Sequence, residues 1–211
     1  MQTTVPLMLK RSVHALALVL LLAGCDKLAV SADPQTQVEQ ACAALERKQY
    51  GEAIALFESA LRQRPDATVF ALLGDCYWSQ WKYGNHDPRL LERANVEYHK
   101  GLALDANHCG LNHATGRDLV LLNRHAEALG YLDAAKLRCA HQSLEAQNLW
   151  FRIQALVALR RLDEAQTEFA GMSERFALHP MTDLAGRLLA DTTQDVALRA
   201  KYREKTDAAK K

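Results

Sequence analysis

The sequence predicts an all-α fold, a short right-handed superhelical stack of antiparallel helix pairs. Three observations predict it. A small–large–small triplet, spaced by four and then three positions, recurs four times and marks one face of a helix each time. A second recurring marker precedes each triplet and indicates a first helix in every pair. The triplets follow one another at intervals of 41, 34 and 37 residues, which is typical of stacked helical repeats.

Composition excludes several classes of protein. The 211 residues are 49% hydrophobic and 24% charged, with a net charge of +1, so the chain is neither disordered nor a strongly basic nucleic-acid binder. None of the 10 glycines lies two positions from another, so dinucleotide and phosphate-binding loops are absent. Asp75 or Cys109 beside His113 would be the only catalytic pairing to consider, and neither lies in a nucleophile motif. The sequence therefore predicts a protein that is not an enzyme and binds no cofactor.

The first 25 residues have the pattern of a membrane-targeting signal. Lys10 and Arg11 precede an apolar run over residues 15–23, which is too short to span a bilayer as a helix. The run ends in Leu22-Ala23-Gly24-Cys25, which resembles the lipobox of bacterial lipoproteins. That resemblance implies cleavage before Cys25, diacylation of its sulfur and acylation of the new amino terminus. The alternative is an ordinary cleaved signal peptide that a cysteine happens to follow.

This interpretation divides the amino-terminal region into a signal peptide, residues 1–24, and a lipidated cysteine with its tether, residues 25–34. The tether reaches about 30 Å when fully extended, so the folded part stays close to its membrane. Several acyl chains anchor a protein stably. The predicted location is the bacterial cell envelope, with the protein lipid-anchored and facing the periplasm. Asp26 resembles an inner-membrane retention signal of enteric bacteria, but Lys27 is not among its strongest companions, and the choice between inner and outer membrane stays open.

The repeat region covers residues 35–180. The triplets that mark the second helices are Ala53/Phe57/Ala60, Ala94/Tyr98/Gly101, Ala128/Leu132/Ala135 and Ala165/Phe169/Met172. The markers of the first helices are Ala41/Ala44, Gly74/Tyr77, Gly116/Leu119 and Ile153/Leu156. The offset between the two markers is 12 residues in three pairs and 20 in the second pair. Eight residues are therefore inserted there, near residues 78–92.

Two segments resemble the tetratricopeptide repeat (TPR). Residues 50–54, Tyr-Gly-Glu-Ala-Ile, continue with Phe57, Ala60 and Leu61, and Pro65 follows the helix. Leu73-Gly74 with Tyr77 matches the first-helix signature. The resemblance covers roughly residues 35–178 and implies a TPR-like α-solenoid of about four repeats. An unrelated array of helical hairpins is the alternative.

Two further segments complete the predicted architecture. Residues 181–211 are expected to form capping helices and a charged tail, because helical stacks need a polar end. Their apolar stripes are Leu184, Leu188 and Leu189, then Val196, Leu198 and Tyr202. The insertion is expected to form a loop, because it contains Gly84 and Pro88. Its aromatic residues, Trp81 and Tyr83, either face a partner or fold back onto the neighbouring helices.

Four cysteines follow Cys25, in a compartment where disulfides can form. Cys109 and Cys139 lie at ends of one helix pair that meet, so they form the first candidate disulfide. Cys42 and Cys76 lie on successive first helices and form a second, weaker candidate, because stacked helix axes are about 8–10 Å apart. A zinc site built from His108, Cys109, His113, Cys139 and His141 is an alternative, but the spacing is not standard and no metal is predicted.

The TPR resemblance implies that first helices line a concave face that binds partners. The candidates there are Asp75, Trp78, His113, Arg117, Trp150 and Gln154, with Trp81 added from the insertion. Tryptophan and arginine are favoured anchors of protein interfaces. Only Arg117 fits the clamp that some TPR proteins use for a terminal carboxylate, so that clamp is not carried over. Trp78 and Trp150 can alternatively be packing residues between helices.

The sequence thus predicts a membrane-anchored TPR scaffold that binds another envelope protein. The first hypothesis is an assembly factor for a pilus or secretion system, similar to pilotin lipoproteins that carry these repeats. The alternative is an adaptor for peptidoglycan enzymes or envelope proteases. A metal-dependent or redox role is a distant third. The predicted partners are another envelope protein and the membrane, which the acyl chains contact. No nucleic acid is predicted as a partner, and self-association of the chain stays open.

Overall fold

The structure, a computed structural model, describes residues 33–138, 142–193 and 196–208, and these residues form ten α-helices and no strand. The predicted signal peptide, Cys25, most of the tether, Cys139 and His141 lie outside the described residues. The helices are α1 (Pro34–Glu46), α2 (Tyr50–Gln63), α3 (Ala67–Tyr83), α4 (Pro88–Leu104), α5 (Cys109–Leu121), α6 (His125–Arg138), α7 (Gln142–Ala158), α8 (Leu162–Arg175), α9 (Pro180–Thr192) and α10 (Val196–Ala208).

Several helices begin where the sequence supplies a capping residue. Asp33, Asp66 and Asp87 each accept a backbone N–H from the first turn of the following helix. Proline follows directly at residues 34 and 88, where its missing N–H costs nothing. These aspartates end the connecting turns and set where the helices start.

Three turns within helix pairs are built alike. Their central residues, Lys48, Asn123 and Arg160, have φ angles of 60°, 61° and 61°. In each turn, that residue and its successor donate backbone hydrogen bonds to carbonyls three and five positions back. Such bonds satisfy carbonyls that the helix end leaves free. Each central residue lies seven positions after its first-helix marker, so the internal repeat extends to the turn itself.

The four large residues of the predicted triplets form the centre of the core. Phe57, Tyr98 and Leu132 are 0% exposed, and Phe169 is 2% exposed. Glycines oppose two of them: a Cβ added at Gly74 would meet the Tyr98 ring, and one added at Gly116 would meet the Leu132 side chain. The buried residues form two hydrophobic clusters, one within α1–α5 and the other from α5 to α10.

The insertion is helical, so the prediction of an aromatic loop is wrong. α3 and α4 have 17 residues each, whereas α1, α2, α5 and α6 have 13 or 14. Only residues 84–87 connect them. Residues 78–83 contain no helix breaker, so α3 continues to Gly84, and Pro88 begins a helix instead of interrupting one. Trp81 and Tyr83 therefore lie in the last turn of α3.

The carboxy-terminal helices cover the end of the stack. Tyr202 of α10 is 5% exposed and meets the Phe169 ring edge-on, with ring centres 5.4 Å apart. Leu189 of α9 is buried with them. The predicted apolar stripes are wrong at Leu184 and Val196, which are 42% and 75% exposed. The buried face of α9 instead runs through Ala185 and Leu189, one position away from Leu184.

None of the helices in the described part of the chain combines the length and apolar character needed to cross a membrane.

Candidate protein-binding site

Four side chains from three consecutive helices form a polar cluster at the middle of the stack. The Tyr98 hydroxyl on α4 donates to Asp75 Oδ1 on α3 over 2.8 Å. Arg117 Nη2 on α5 donates to the same hydroxyl oxygen over 3.1 Å. Arg117 Nε donates to Asp118 Oδ1 over 2.7 Å, and Arg117 Nη2 lies 4.0 Å from Asp75 Oδ1. The cluster therefore connects the second and third helix pairs.

Trp78 lies against this cluster. The Arg117 guanidinium carbon is 4.1 Å from the centre of its ring, which is a close cation–π contact. The Lys82 ammonium is 4.7 Å from the same ring centre. Trp78 is half-buried and packs on the first hydrophobic cluster. Asp75, Trp78 and Arg117, three of the predicted contact residues, are thus brought together by direct contacts.

Burial decides which charge this cluster presents to solvent. The side chain of Asp118 is 0% exposed and that of Arg117 is 11% exposed, whereas that of Asp75 is 44% exposed. Burial raises the pKa of Asp118 to about 6, although the Arg117 guanidinium acts to lower it. At neutral pH, Asp118 neutralises Arg117. Asp75 is the carboxyl group of the cluster that reaches solvent, although burial raises its pKa against the lowering effects of Arg117 and of the Tyr98 hydroxyl. Arg117 is therefore committed to internal partners, and a free carboxylate would have to displace them.

His113 is wrong as a direct contact for a partner, because it is only 4% exposed. Its Nδ1 lies 3.3 Å from Asn148 Oδ1, and its ring centre lies 5.9 Å from that of Phe151. Asn148 Nδ2 in turn donates to the Leu132 carbonyl over 2.8 Å. Burial lowers the pKa of His113 to about 4, so the ring is neutral at physiological pH. His113 is a packing residue that joins α5 to α7.

The other predicted contact residues lie apart from this cluster. Trp150 is half-buried against the second hydrophobic cluster, which matches the alternative that it packs between helices. Gln154 is also half-buried. Trp81 is half-buried and meets the His86 ring edge-on, with ring centres 5.1 Å apart. Within the described ranges, no hydrogen bond, ion pair or ring contact joins Trp150 or Gln154 to the Arg117 cluster.

The candidate disulfide between Cys42 and Cys76 is wrong, because both cysteines are free thiols. Cys76 is 0% exposed, whereas Cys42 lies at the edge of the same cluster. Burial, together with the negative charge of Asp75, raises the pKa of Cys76 to about 12. Burial also raises the pKa of Cys42. Both cysteines are therefore mainly thiols, and not thiolates, at neutral pH.

Cys109 is disulfide-bonded. Its predicted partner, Cys139, lies outside the described residues, so that pairing stays a prediction. A sulfur held in a disulfide is not a thiolate ligand, which removes Cys109 from the alternative zinc site. Among residues 33–138, 142–193 and 196–208, no three His, Cys, Asp or Glu side chains are grouped to hold a metal ion.

Sequence reasoning missed the polar roles of Tyr98 and Asp118. Tyr98 was identified only as the large member of a packing triplet, yet its hydroxyl is the point where Asp75 and Arg117 meet. The available signal was Gly74 opposite it, since a glycine in a helix interior often marks a close approach. Nothing in the local pattern of α5 distinguishes the buried Asp118 from an exposed helix carboxylate.

The fold is that of a TPR-like α-solenoid. A MamA double mutant is similar to this chain with a TM-score of 0.71 and 15% identity, over 84% of this chain and 94% of that chain. MamA from Desulfovibrio magneticus RS-1 matches with a TM-score of 0.69 and 14% identity, over 83% and 92% of the two chains. YrrB, described as a TPR protein with an unusual peptide-binding site, matches with a TM-score of 0.65 and 22% identity, over 82% of each. No protein-family model and no curated protein matches the sequence. At these identities the similarity concerns the fold alone.

Proposed function

We propose that the protein is a scaffold that binds a segment of another protein on the concave face of its helical stack. The observation that carries the proposal is the cluster of Asp75, Trp78 and Arg117 on two successive first helices. A partly exposed carboxylate beside a tryptophan supported by a buried arginine offers both a charged contact and a rigid apolar contact. The peptide-binding site of YrrB, a similar fold, supports assigning this kind of role to the stack.

We further propose that this scaffold works in the bacterial cell envelope, anchored through acyl chains on Cys25. The sequence pattern over residues 10–25 supports this anchoring. Metabolic labelling with palmitate tests it: wild type is expected to take up the label and fractionate with membranes. Cys25→Ser should lose the label, and labelling that survives this substitution would contradict the anchor.

Within the envelope, we propose a pilotin-like role in assembling a pilus or secretion system. This role fits a small scaffold held at a membrane by acyl chains. Deletion of the protein is then expected to leave an outer-membrane channel subunit as a monomer. Normal channel multimers in the deletion strain would overturn the pilotin role but not the scaffold. Recovery of a peptidoglycan enzyme or an envelope protease in the experiment below would identify the protein as an adaptor instead.

A photo-cross-linking experiment tests the concave face. A photoreactive amino acid replaces Ser79, next to Trp78, in the full chain expressed in its source cells. Asp75→Asn is introduced into this background, with Glu58→Gln on the exposed side of α2 as the matched control. A partner cross-linked in the control and lost in Asp75→Asn supports the concave site. Equal cross-linking in both variants would show that Asp75 takes no part in binding.

A further inference from the structure

The extra helical turn of α3 holds two lysines around one exposed tyrosine. Tyr83 is 61% exposed and ends α3. The Lys82 ammonium lies 5.2 Å from the centre of its ring. The Lys48 ammonium, from the turn between α1 and α2, also lies 5.2 Å from that centre. We call Lys48, Lys82 and Tyr83 the lysine–tyrosine ridge. It exists because the insertion lengthens α3 enough to reach the turn of the preceding helix pair.

The two lysines of the ridge lack carboxylate partners. Both are exposed, and within the part of the chain that the structure describes neither forms an ion pair. By contrast, Lys100 and Lys136 each donate to a glutamate carboxylate over 2.8 Å. The ammonium groups of Lys48 and Lys82 are separated by at most twice their 5.2 Å distance to the ring centre. That upper bound is about the Debye length at 0.1 M salt, so salt screens their repulsion only partly at any shorter separation. A bound anionic group would relieve this repulsion.

We propose that the lysine–tyrosine ridge binds an acidic segment of a partner protein, with carboxylates on Lys48 and Lys82 and an apolar contact on the Tyr83 ring. This surface goes beyond the proposed concave site and carries the opposite charge. Lys82 also contacts the Trp78 ring, so the ridge adjoins the concave face. Asp75 precedes Trp78 by three positions on α3, whereas Lys82 follows it by four, so the acidic part of the segment is better placed on the ridge than beside Asp75.

The size of the charged patch favours a protein segment over an anionic membrane surface. Basic segments that bind anionic lipid present about four to eight lysines or arginines, and the ridge has two. Insertion into a lipid interface also needs several exposed aromatic or aliphatic side chains. Tyr83 meets that condition, whereas Trp81 is half-buried against His86. Two charges and one ring match a short acidic peptide.

The test uses the full-length protein in non-ionic detergent and a fluorescein-labelled, glutamate-rich peptide, followed by fluorescence anisotropy. A glutamine-rich peptide of the same length is the uncharged probe. Each exposed ion pair contributes about threefold in affinity, so Lys48→Gln with Lys82→Gln is expected to weaken binding of the acidic peptide about tenfold. The matched control removes two exposed cations elsewhere, Arg62→Gln with Lys201→Gln, and is expected to leave binding unchanged.

The outcomes separate the ridge from its alternatives. Arginine at both ridge positions keeps the charge and should keep binding within about threefold. A wild-type melting temperature for the glutamine variant shows that its loss of binding is not misfolding. Wild-type affinity in the double Lys→Gln variant would overturn the proposal, and so would equal binding of the glutamine-rich peptide. Displacement of the acidic peptide by glycerol phosphate would assign the ridge to phosphate groups instead. Because Asp75→Asn leaves the ridge intact, failure of the concave site in its own test would leave this result standing.

Discussion

Substituting Gly74 by alanine tests how the core and the polar cluster depend on each other. A Cβ at this position would lie 2.2 Å from Tyr98 Cε1 and 2.5 Å from Cδ1, far inside van der Waals contact. The ring has no free space, because Tyr98 is 0% exposed. Its hydroxyl is also held by Asp75 and Arg117. Gly74→Ala must therefore move either the ring or the whole of α3.

The expected cost follows from three contributions. Overpacking a filled core costs about 1–3 kcal/mol. Displacing the Tyr98 hydroxyl loses two hydrogen bonds to charged groups, at about 1–2 kcal/mol in total after partial relaxation. Alanine in a helix interior returns about 1 kcal/mol relative to glycine. The net expectation for Gly74→Ala is a loss of about 1–4 kcal/mol, or roughly 2–16 °C in the melting temperature for a chain of this length.

Thermal unfolding followed by circular dichroism measures this loss. Gly130→Ala is the matched control, since a Cβ there contacts nothing within 4 Å, and it should be neutral or stabilising by up to about 1 kcal/mol. Tyr98→Leu alone loses the same hydrogen bonds, so Gly74→Ala should cost less in the Tyr98→Leu background than in wild type. A Gly74→Ala protein as stable as wild type would refute the close approach of α3 to Tyr98.

Three further predictions concern the buried titratable groups. Arg117→Met leaves Asp118 buried without its cation and should lower the free energy of unfolding in urea by about 3–5 kcal/mol. Adding Asp118→Leu should recover much of that loss. An undiminished loss in the double variant would argue against the Arg117–Asp118 pair. Because the pKa of His113 falls from 6.5 to about 4 on folding, its contribution to stability is complete above pH 6.5 and is lost as the pH falls toward 4. His113→Gln should therefore show a smaller drop in melting temperature than wild type across this range, and parallel curves would contradict the assignment. In native protein, iodoacetamide should label Cys42 well before Cys76, whose pKa is raised to about 12, and equal labelling by mass spectrometry would count against the burial of Cys76.

The repeated core was predictable because its signal is local. Each triplet, such as Ala53, Phe57 and Ala60, lies within eight residues and reports one helix face directly. The insertion was located by the offset between markers, but its conformation was not predicted. Gly84 and Pro88 were given as loop signals, although proline is favoured at the first position of a helix. The insertion is helical because residues 78–83, between Tyr77 and Gly84, contain no helix breaker.

The polar cluster was only partly predictable because its contacts are distant in sequence. Tyr98 and Asp75 are 23 positions apart, and Arg117 follows Tyr98 by 19 positions. Placing Asp75, Trp78 and Arg117 on first helices follows from the repeat. The repeat does not predict that Asp118 neutralises Arg117, because that pairing depends on the orientation of α5 against α4. The prediction for His113 failed for the same reason. The repeat places His113 on a first helix but does not fix whether its side chain faces a partner or the core.

The insertion places a basic surface beside the carboxylate of the Arg117 cluster. The Arg117 cluster leaves the Asp75 carboxyl group facing solvent, and the ridge presents Lys48 and Lys82. Trp78 contacts both, because Arg117 lies 4.1 Å and the Lys82 ammonium 4.7 Å from the centre of its ring. A bound segment that used both surfaces would need acidic residues at one end and basic residues at the other, and only one direction of the chain would satisfy both. If one partner segment occupies both proposed surfaces, the eight inserted residues give its binding a direction that the repeats alone do not provide.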